Sequence, residues 1–207
     1  MTATFFEAIL AAATAILWGL IIVYLHFIKP QLTPAAHTIS EYARAPKGWI
    51  MQIAFCCMTV SCLSLALAGW PYLHHPGLVL LAIIGVGFAG AGIFVTDAHF
   101  ITEGNLTPTG ILHVAFASVV IPFFPVMATL LSVNMDRIDF WRPFHSLLLV
   151  LAGMTWVGCA GFVWAIMRSA GGRAGQGADI PVGYYQRFMI FWFTMWIITA
   201  SLAMAVR

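Results

Sequence analysis

Few side chains in this sequence could do chemistry, and most of them fall in three short polar stretches. Asp97, His99 and His113 combine a carboxylate with two imidazoles, a donor set that suits zinc. Glu41 or His37 would add a further ligand, and an open position would activate water. Ser40, His113 and Asp97 are the residue types of a nucleophile, a base and the acid that orients it. His26 and His113 could hold a haem iron between two imidazoles. None of these sets has a distinctive spacing: there is no HExxH, Asp-x-His is short enough to recur by chance, and nothing local marks Ser40 as a strained nucleophile. Neutral interfacial histidines are the plain alternative. Asp97, His99 and His113 therefore stand as metal candidates, Asp97, His113 and Ser40 as catalytic candidates, and no cofactor is fixed.

The elements that must position these groups follow from composition. Of 207 residues, 62% are apolar and 8% charged, with a mean hydropathy of +0.96, so the chain has too little polar surface to be soluble. Nine Lys or Arg against seven Asp or Glu give a net charge of +2, which excludes a nucleic-acid-binding surface and a highly charged disordered chain. About 20 apolar residues span the hydrocarbon of a bilayer. Six segments meet that length, at Phe5 to Ile28, Trp49 to Gly69, Leu78 to Thr96, Ile111 to Val133, Phe144 to Met167 and Phe188 to Val206. Their runs are continuous, without the alternation of barrel strands. The expectation is an all-α, polytopic integral membrane bundle of six transmembrane helices, a single domain over 1–207 with both ends on one side. The first span lacks a basic start and a small-x-small cleavage site, so it is read as a mature helix. Gly171 to Gly177 reads as a flexible loop.

Connections one, three and five share one face of the membrane, and the chemistry gathers there. Connection one carries His37, Ser40, Glu41, Tyr42, Arg44 and Lys47; connection three carries Asp97, His99, Glu103 and Asn105; connection five ends in Tyr184, Tyr185, Gln186 and Arg187. His26 and His113 approach the same face from within their helices. The opposite face, with Trp70, His74, His75, Asp136, Asp139, Trp141 and His145, reads as an aromatic belt with ordinary loop polarity. Six basic residues against three point the polar face toward the cytoplasm.

Asp97 closes an apolar helix, where an unpaired carboxylate costs a few kcal/mol. Arg187, Arg44, Lys47, His99 or His113 is the expected partner, and the plain alternative is a cap on the fourth helix. Pro30, Pro34 and Pro46, together with Leu32, Ile39, Tyr42 and Trp49, stiffen connection one and give it apolar surface. The three connections should thus fold into one cap enclosing His113.

Gly85, Gly87 and Gly90 spell GxGxxG without a preceding strand, so they read as a small-residue seam. With Ala82, Ala89, Ala91 and Gly92 they should give the closest backbone approach in the bundle. Asn105-Leu106-Thr107 is a weak glycosylation sequon, and Cys56, Cys57, Cys62 and Cys159 lie in apolar spans that indicate no disulfide framework.

The stretch His37-Thr38-Ile39-Ser40-Glu41-Tyr42-Ala43 leading to Gly48-Trp49, the glycine-rich third span ending in Gly92-Ile93-Phe94, Asp97, His113 after Gly110, and Gly183 through Gln186-Arg187 together resemble the microbial family known as domain of unknown function 998. The resemblance covers essentially the whole chain; the usual Phe-Pro before the aspartate reads Phe94-Val95 here. It extends distantly to the eukaryotic DRAM-like six-helix proteins, in which the motif face is taken to be extracytoplasmic, opposite to the charge count. The resemblance implies a fold and a shared polar site but no reaction. The leading expectation is a cell-membrane protein that binds a lipid or other amphiphile through Ser40, Glu41, Tyr42, Arg44, Asp97, His113 and Arg187. One alternative is a metal-assisted intramembrane hydrolase of a lipid ester or amide. Another is an accessory structural subunit docked on a membrane-protein partner or on a second copy of itself.

Overall fold

The structure is a computed structural model that describes residues 3–44, 46–98, 106–170 and 180–206. Among these residues it is all-helical. Six helices are long and apolar enough to cross a membrane: α1 (Ala3–Ile28), α2 (Trp49–Gly69), α3 (His75–Ile93), α4 (Pro108–Met135), α5 (Arg142–Ala170) and α6 (Val182–Ala205). A short 3-10 helix, Ile39–Ala43, interrupts the first connection. The chain is a multi-pass membrane protein, and Leu20, Val86, Val150 and Phe191 are among the apolar side chains that its helices present outward.

Two boundaries correct the sequence expectation. The third span begins at His75, with Pro76 in its first turn, and stops at Ile93 rather than Thr96, because Phe94 turns into extended backbone. The last begins at Val182, six residues before Phe188, so Tyr184, Tyr185, Gln186 and Arg187 are helical and not part of a loop. Hydropathy places helix ends where polarity begins, yet a polar first turn stays helical when another segment satisfies its side chains.

Each helix packs on its neighbours in the chain, and α1 closes the ring against α6. An even number of helices lets every neighbouring pair, the closing one included, run antiparallel. In lipid the helices gain little from hiding apolar surface from one another, so small residues and interhelical hydrogen bonds hold them. The Ser61 hydroxyl donates to the Ala11 carbonyl at 2.7 Å, tying α2 to α1. Ser132 of α4 donates to Leu148 O of α5 at 3.2 Å and accepts from Trp196 Nε1 of α6 at 3.0 Å. Pro125 has no N–H to give Ile121 O, and the Cys159 thiol of α5 donates to that carbonyl at 3.4 Å.

The glycines of α3 serve two neighbours. A Cβ on Gly85 or Gly92 would meet Cys62 or Phe55 of α2, whereas one on Gly87 or Gly90 would meet Val120 or Phe116 of α4. The seam lies against helices, as expected, but it receives side chains. The tighter approach of one helix backbone to another is at Gly158, where a Cβ would lie 2.7 Å from Met189 Cα.

Candidate functional site

Arg187, in the second turn of α6, organises the polar face. Its Nε donates to His26 Nε2 at 2.8 Å, while Nη1 donates to Pro34 O at 2.9 Å, His37 O at 2.8 Å and Gly183 O at 3.0 Å. Nη2 donates to the Tyr42 hydroxyl at 3.2 Å, and the guanidinium carbon stands 5.7 Å from the centre of the Tyr42 ring. His26 Nδ1 lies 2.6 Å from Ile22 O, so the network assigns its proton to Nδ1 and its lone pair to Arg187. Both ring nitrogens of His26 are therefore engaged, which removes it as the haem ligand that sequence alone allowed.

Connection one folds over the start of α6 because the backbone there has no side chain in the way. Gly183 N donates to Ala35 O at 3.0 Å, and a Cβ on Gly183 would fall 2.2 Å from Pro34 O and 2.4 Å from His37 O. Gln186 Oε1 accepts the Ile39 N–H at 2.5 Å. Lys29, 2% exposed, donates through Nζ to Tyr42 O at 2.7 Å and Arg44 O at 2.5 Å. Burial pushes the Lys29 ammonium below its ordinary pKa, and the Arg44 cation pushes the same way. Glu41 is buried beneath this cap: its Oε1 accepts from Thr38 N at 2.8 Å and the Thr38 hydroxyl at 3.1 Å, while Oε2 has no hydrogen-bond partner among the described residues. Arg44 joins the cap through its carbonyl, and Lys47 is exposed with φ 59°.

Asp97 departs from the expectation of a cationic partner. Its carboxylate accepts from Thr107 N at 2.8 Å and from the Thr107 hydroxyl at 2.9 Å, and that hydroxyl accepts from Gly110 N at 3.1 Å. Among the described residues Asp97 forms no ion pair. It holds Thr107, the N-cap of α4, and so takes part in the helix cap of the plain alternative, because a helix N-terminus offers unsatisfied N–H groups that suit a carboxylate. Gly110 admits it: a Cβ there would sit 1.9 Å from Asp97 Oδ2. His99, Glu103 and Asn105 lie outside the described residues.

His113 is 3% exposed, and its Nδ1 donates to Ala91 O at 2.9 Å and Phe94 O at 2.8 Å; residues 99–105 and 171–179 of the expected cap lie outside the described residues. The ring from α4 thus satisfies carbonyls that α3 leaves open at its C-terminus. Because Nδ1 is spent on these carbonyls, Asp97 does not orient the imidazole, and the Ser40-His113-Asp97 relay lacks its third link. Ser40 and His113 do line one cavity of about 50 Å³, with Trp18 and Gln186. Among the described residues no three His, Cys, Asp or Glu side chains are grouped as metal ligands.

A second space lies along the outside of the ring. A groove of about 450 Å³ runs between α1 and α6, walled by residues such as Gly19, Val23, Phe191 and Ile198, with His26 and Arg187 at one end. Of the residues expected to form one site, Arg187 lies at the groove end and Ser40 and His113 at the interior cavity, while Glu41, Tyr42, Arg44 and Asp97 line neither space. Sequence reasoning named Gln186 and Gly183 only as members of the run before the last span, and it gave Lys29 and Trp18 no place in the site.

The chain matches, over residues 10–203, the family described as Protein of unknown function (DUF998). It belongs to this family. No curated protein and no solved structure matches it. The segments that make up the site, from Thr38 through Asp97 and His113 to Arg187, all fall within the matched DUF998 region.

Proposed function

We propose that this DUF998 chain is a single-domain binding protein of the cell membrane whose partner is an anionic membrane lipid or similar amphiphile. The acyl chain lies in the groove between α1 and α6, and the head group meets Arg187 and His26. The supporting observation is the pairing of an apolar groove of about 450 Å³ with a guanidinium at its end. Among the described residues no carboxylate lies within 4.0 Å of Arg187, so neutral carbonyls, a hydroxyl and an imidazole make its hydrogen bonds, and the Glu41 carboxylate acts on its charge only from beyond that distance. A cation held at the edge of hydrocarbon attracts an anionic group strongly, because water screens it less there. Of its five N–H donors, one on Nη2 has no acceptor among the described residues.

Gly19 supplies the test. Gly19 lines the groove, and a Cβ there would meet nothing within 4 Å, so a larger side chain starts into the groove without a clash at Cβ. Wild type and Gly19→Leu are purified in mild detergent, and retained lipid is quantified by native mass spectrometry. Wild type should keep anionic lipid over zwitterionic lipid, and Gly19→Leu should lower its retention roughly tenfold at an unchanged unfolding temperature. Equal retention by both proteins, or no preference for anionic lipid, refutes the proposal. Loss of a second copy or of another membrane protein, instead of a lipid, would reassign the groove to docking.

A further inference from the structure

The interior cavity is chemically unlike the groove. Its space of about 50 Å³ exceeds what one water needs but is far too small for an acyl chain. Four polar side chains from separate elements line it, and each has hydrogen-bonding capacity left over. The Trp18 Nε1–H is buried with no partner among the described residues. Gln186 spends its carboxamide oxygen on Ile39 N, which leaves its amide nitrogen unbonded among the described residues. His113 spends Nδ1 on two carbonyls, which leaves Nε2 as a lone-pair acceptor. Among the described residues the Ser40 hydroxyl is bonded only to the Thr38 hydroxyl, at 3.2 Å, and can still donate or accept.

These leftovers specify a ligand. Indole and carboxamide N–H groups ask for an acceptor, the imidazole lone pair asks for a donor, and no carboxylate, lysine or arginine is among the lining residues. The smallest uncharged group that both accepts and donates is a hydroxyl, and a space of about 50 Å³ favours the smallest. We propose that the cavity is a binding site for one hydroxyl group, held between Trp18 and Gln186 as donors and His113 Nε2 as acceptor. Water can supply that hydroxyl, and so can an amphiphile. Trp18, Ile39 and Ile190 wall both the cavity and the α1/α6 groove, so they form the partition through which a hydroxyl carried near the head of a groove-bound chain would enter. The water arm is independent of the lipid reading; the amphiphile arm rests on it.

The test turns on the sign of a cavity-filling change. Ala117 lines the cavity, and Ala117→Val would occupy it. Filling a dry void improves packing and raises the unfolding temperature, whereas evicting a bound hydroxyl strands buried polar groups and lowers it. The full chain is prepared in an amine-oxide detergent, which carries no hydroxyl, and is stripped of lipid. A fall of roughly 5 °C for Ala117→Val in this state assigns the hydroxyl to water. A fall that appears only with oleyl alcohol, together with wild-type stabilisation by oleyl alcohol but not by octadecene, assigns it to an amphiphile. The ¹⁵N resonance of His113 Nε2 in the wild type reads the same bond without any substitution, and it should show a hydrogen-bonded lone pair. A rise in unfolding temperature for Ala117→Val, or a free lone pair under every condition, overturns the proposal. The groove is judged separately by Gly19→Leu, so either conclusion can fail alone.

Discussion

Adding one methyl group at two glycines should move stability in opposite directions. Gly19 lies mid-helix in α1 with nothing within 4 Å of a prospective Cβ, so Gly19→Ala gains helix propensity without a clash. That gain is about 0.5–1 kcal/mol. At Gly183 the same methyl would lie 2.2 Å from Pro34 O, 2.4 Å from His37 O and 2.9 Å from Arg187 Nη1. Both carbonyls must withdraw by on the order of 1 Å to reach ordinary contact, and they are the carbonyls that Nη1 bonds at 2.9 and 2.8 Å. A hydrogen bond to a charged group contributes roughly 1.5–3 kcal/mol; the lower end applies here because Arg187 is partly exposed. Losing two such bonds, with modest strain and little propensity gain in a first turn, costs about 3 kcal/mol. For a chain of this length that lowers the unfolding midpoint by roughly 6–12 °C. Thermal unfolding in detergent, followed by the fluorescence of eight tryptophans, measures both variants in one assay. If Gly183→Ala unfolds at or above the temperature of Gly19→Ala, the cap does not press on α6 as described and the reasoning about Arg187 fails.

Asp97→Ala should destabilise by about 1–2 kcal/mol, the worth of a helix cap, while Asp139→Ala, whose side chain is 92% exposed, should stay within about 0.5 kcal/mol. Equal effects in chemical denaturation would remove the capping role. Gly90→Ala should cost about 1–3 kcal/mol, because its methyl would fall 2.3 Å from the Phe116 ring that stacks on Phe94. Gly153→Ala, with nothing within 4 Å, is the matched control, and thermal unfolding in which both variants behave alike would mean that α3 and α4 do not meet through that glycine.

Six spans, their helical nature and the gathering of polar groups on one face could be read without coordinates. A span declares itself by the transfer of about 20 consecutive residues into hydrocarbon, a property of the local sequence. Membership of the DUF998 family was legible for a similar reason, since short motifs at fixed order suffice to mark it. The glycine seam was legible as packing but not as two seams, because only the placement of α2 and α4 decides which glycine faces which neighbour. The polar residues of that face were legible by type but not by partner. Asp97 satisfied itself ten residues away at Thr107, while Arg187 found His26 across 161 positions of sequence. Partner choice depends on which donors and acceptors the closed ring brings within about 3 Å, and hydropathy carries no such term. The chain by itself thus determined where polar groups would sit relative to the membrane. Tertiary structure alone divided them into a cationic groove end and an uncharged interior cavity, because a hydrogen bond is made between surfaces that folding puts together and not between residues that sequence puts in order.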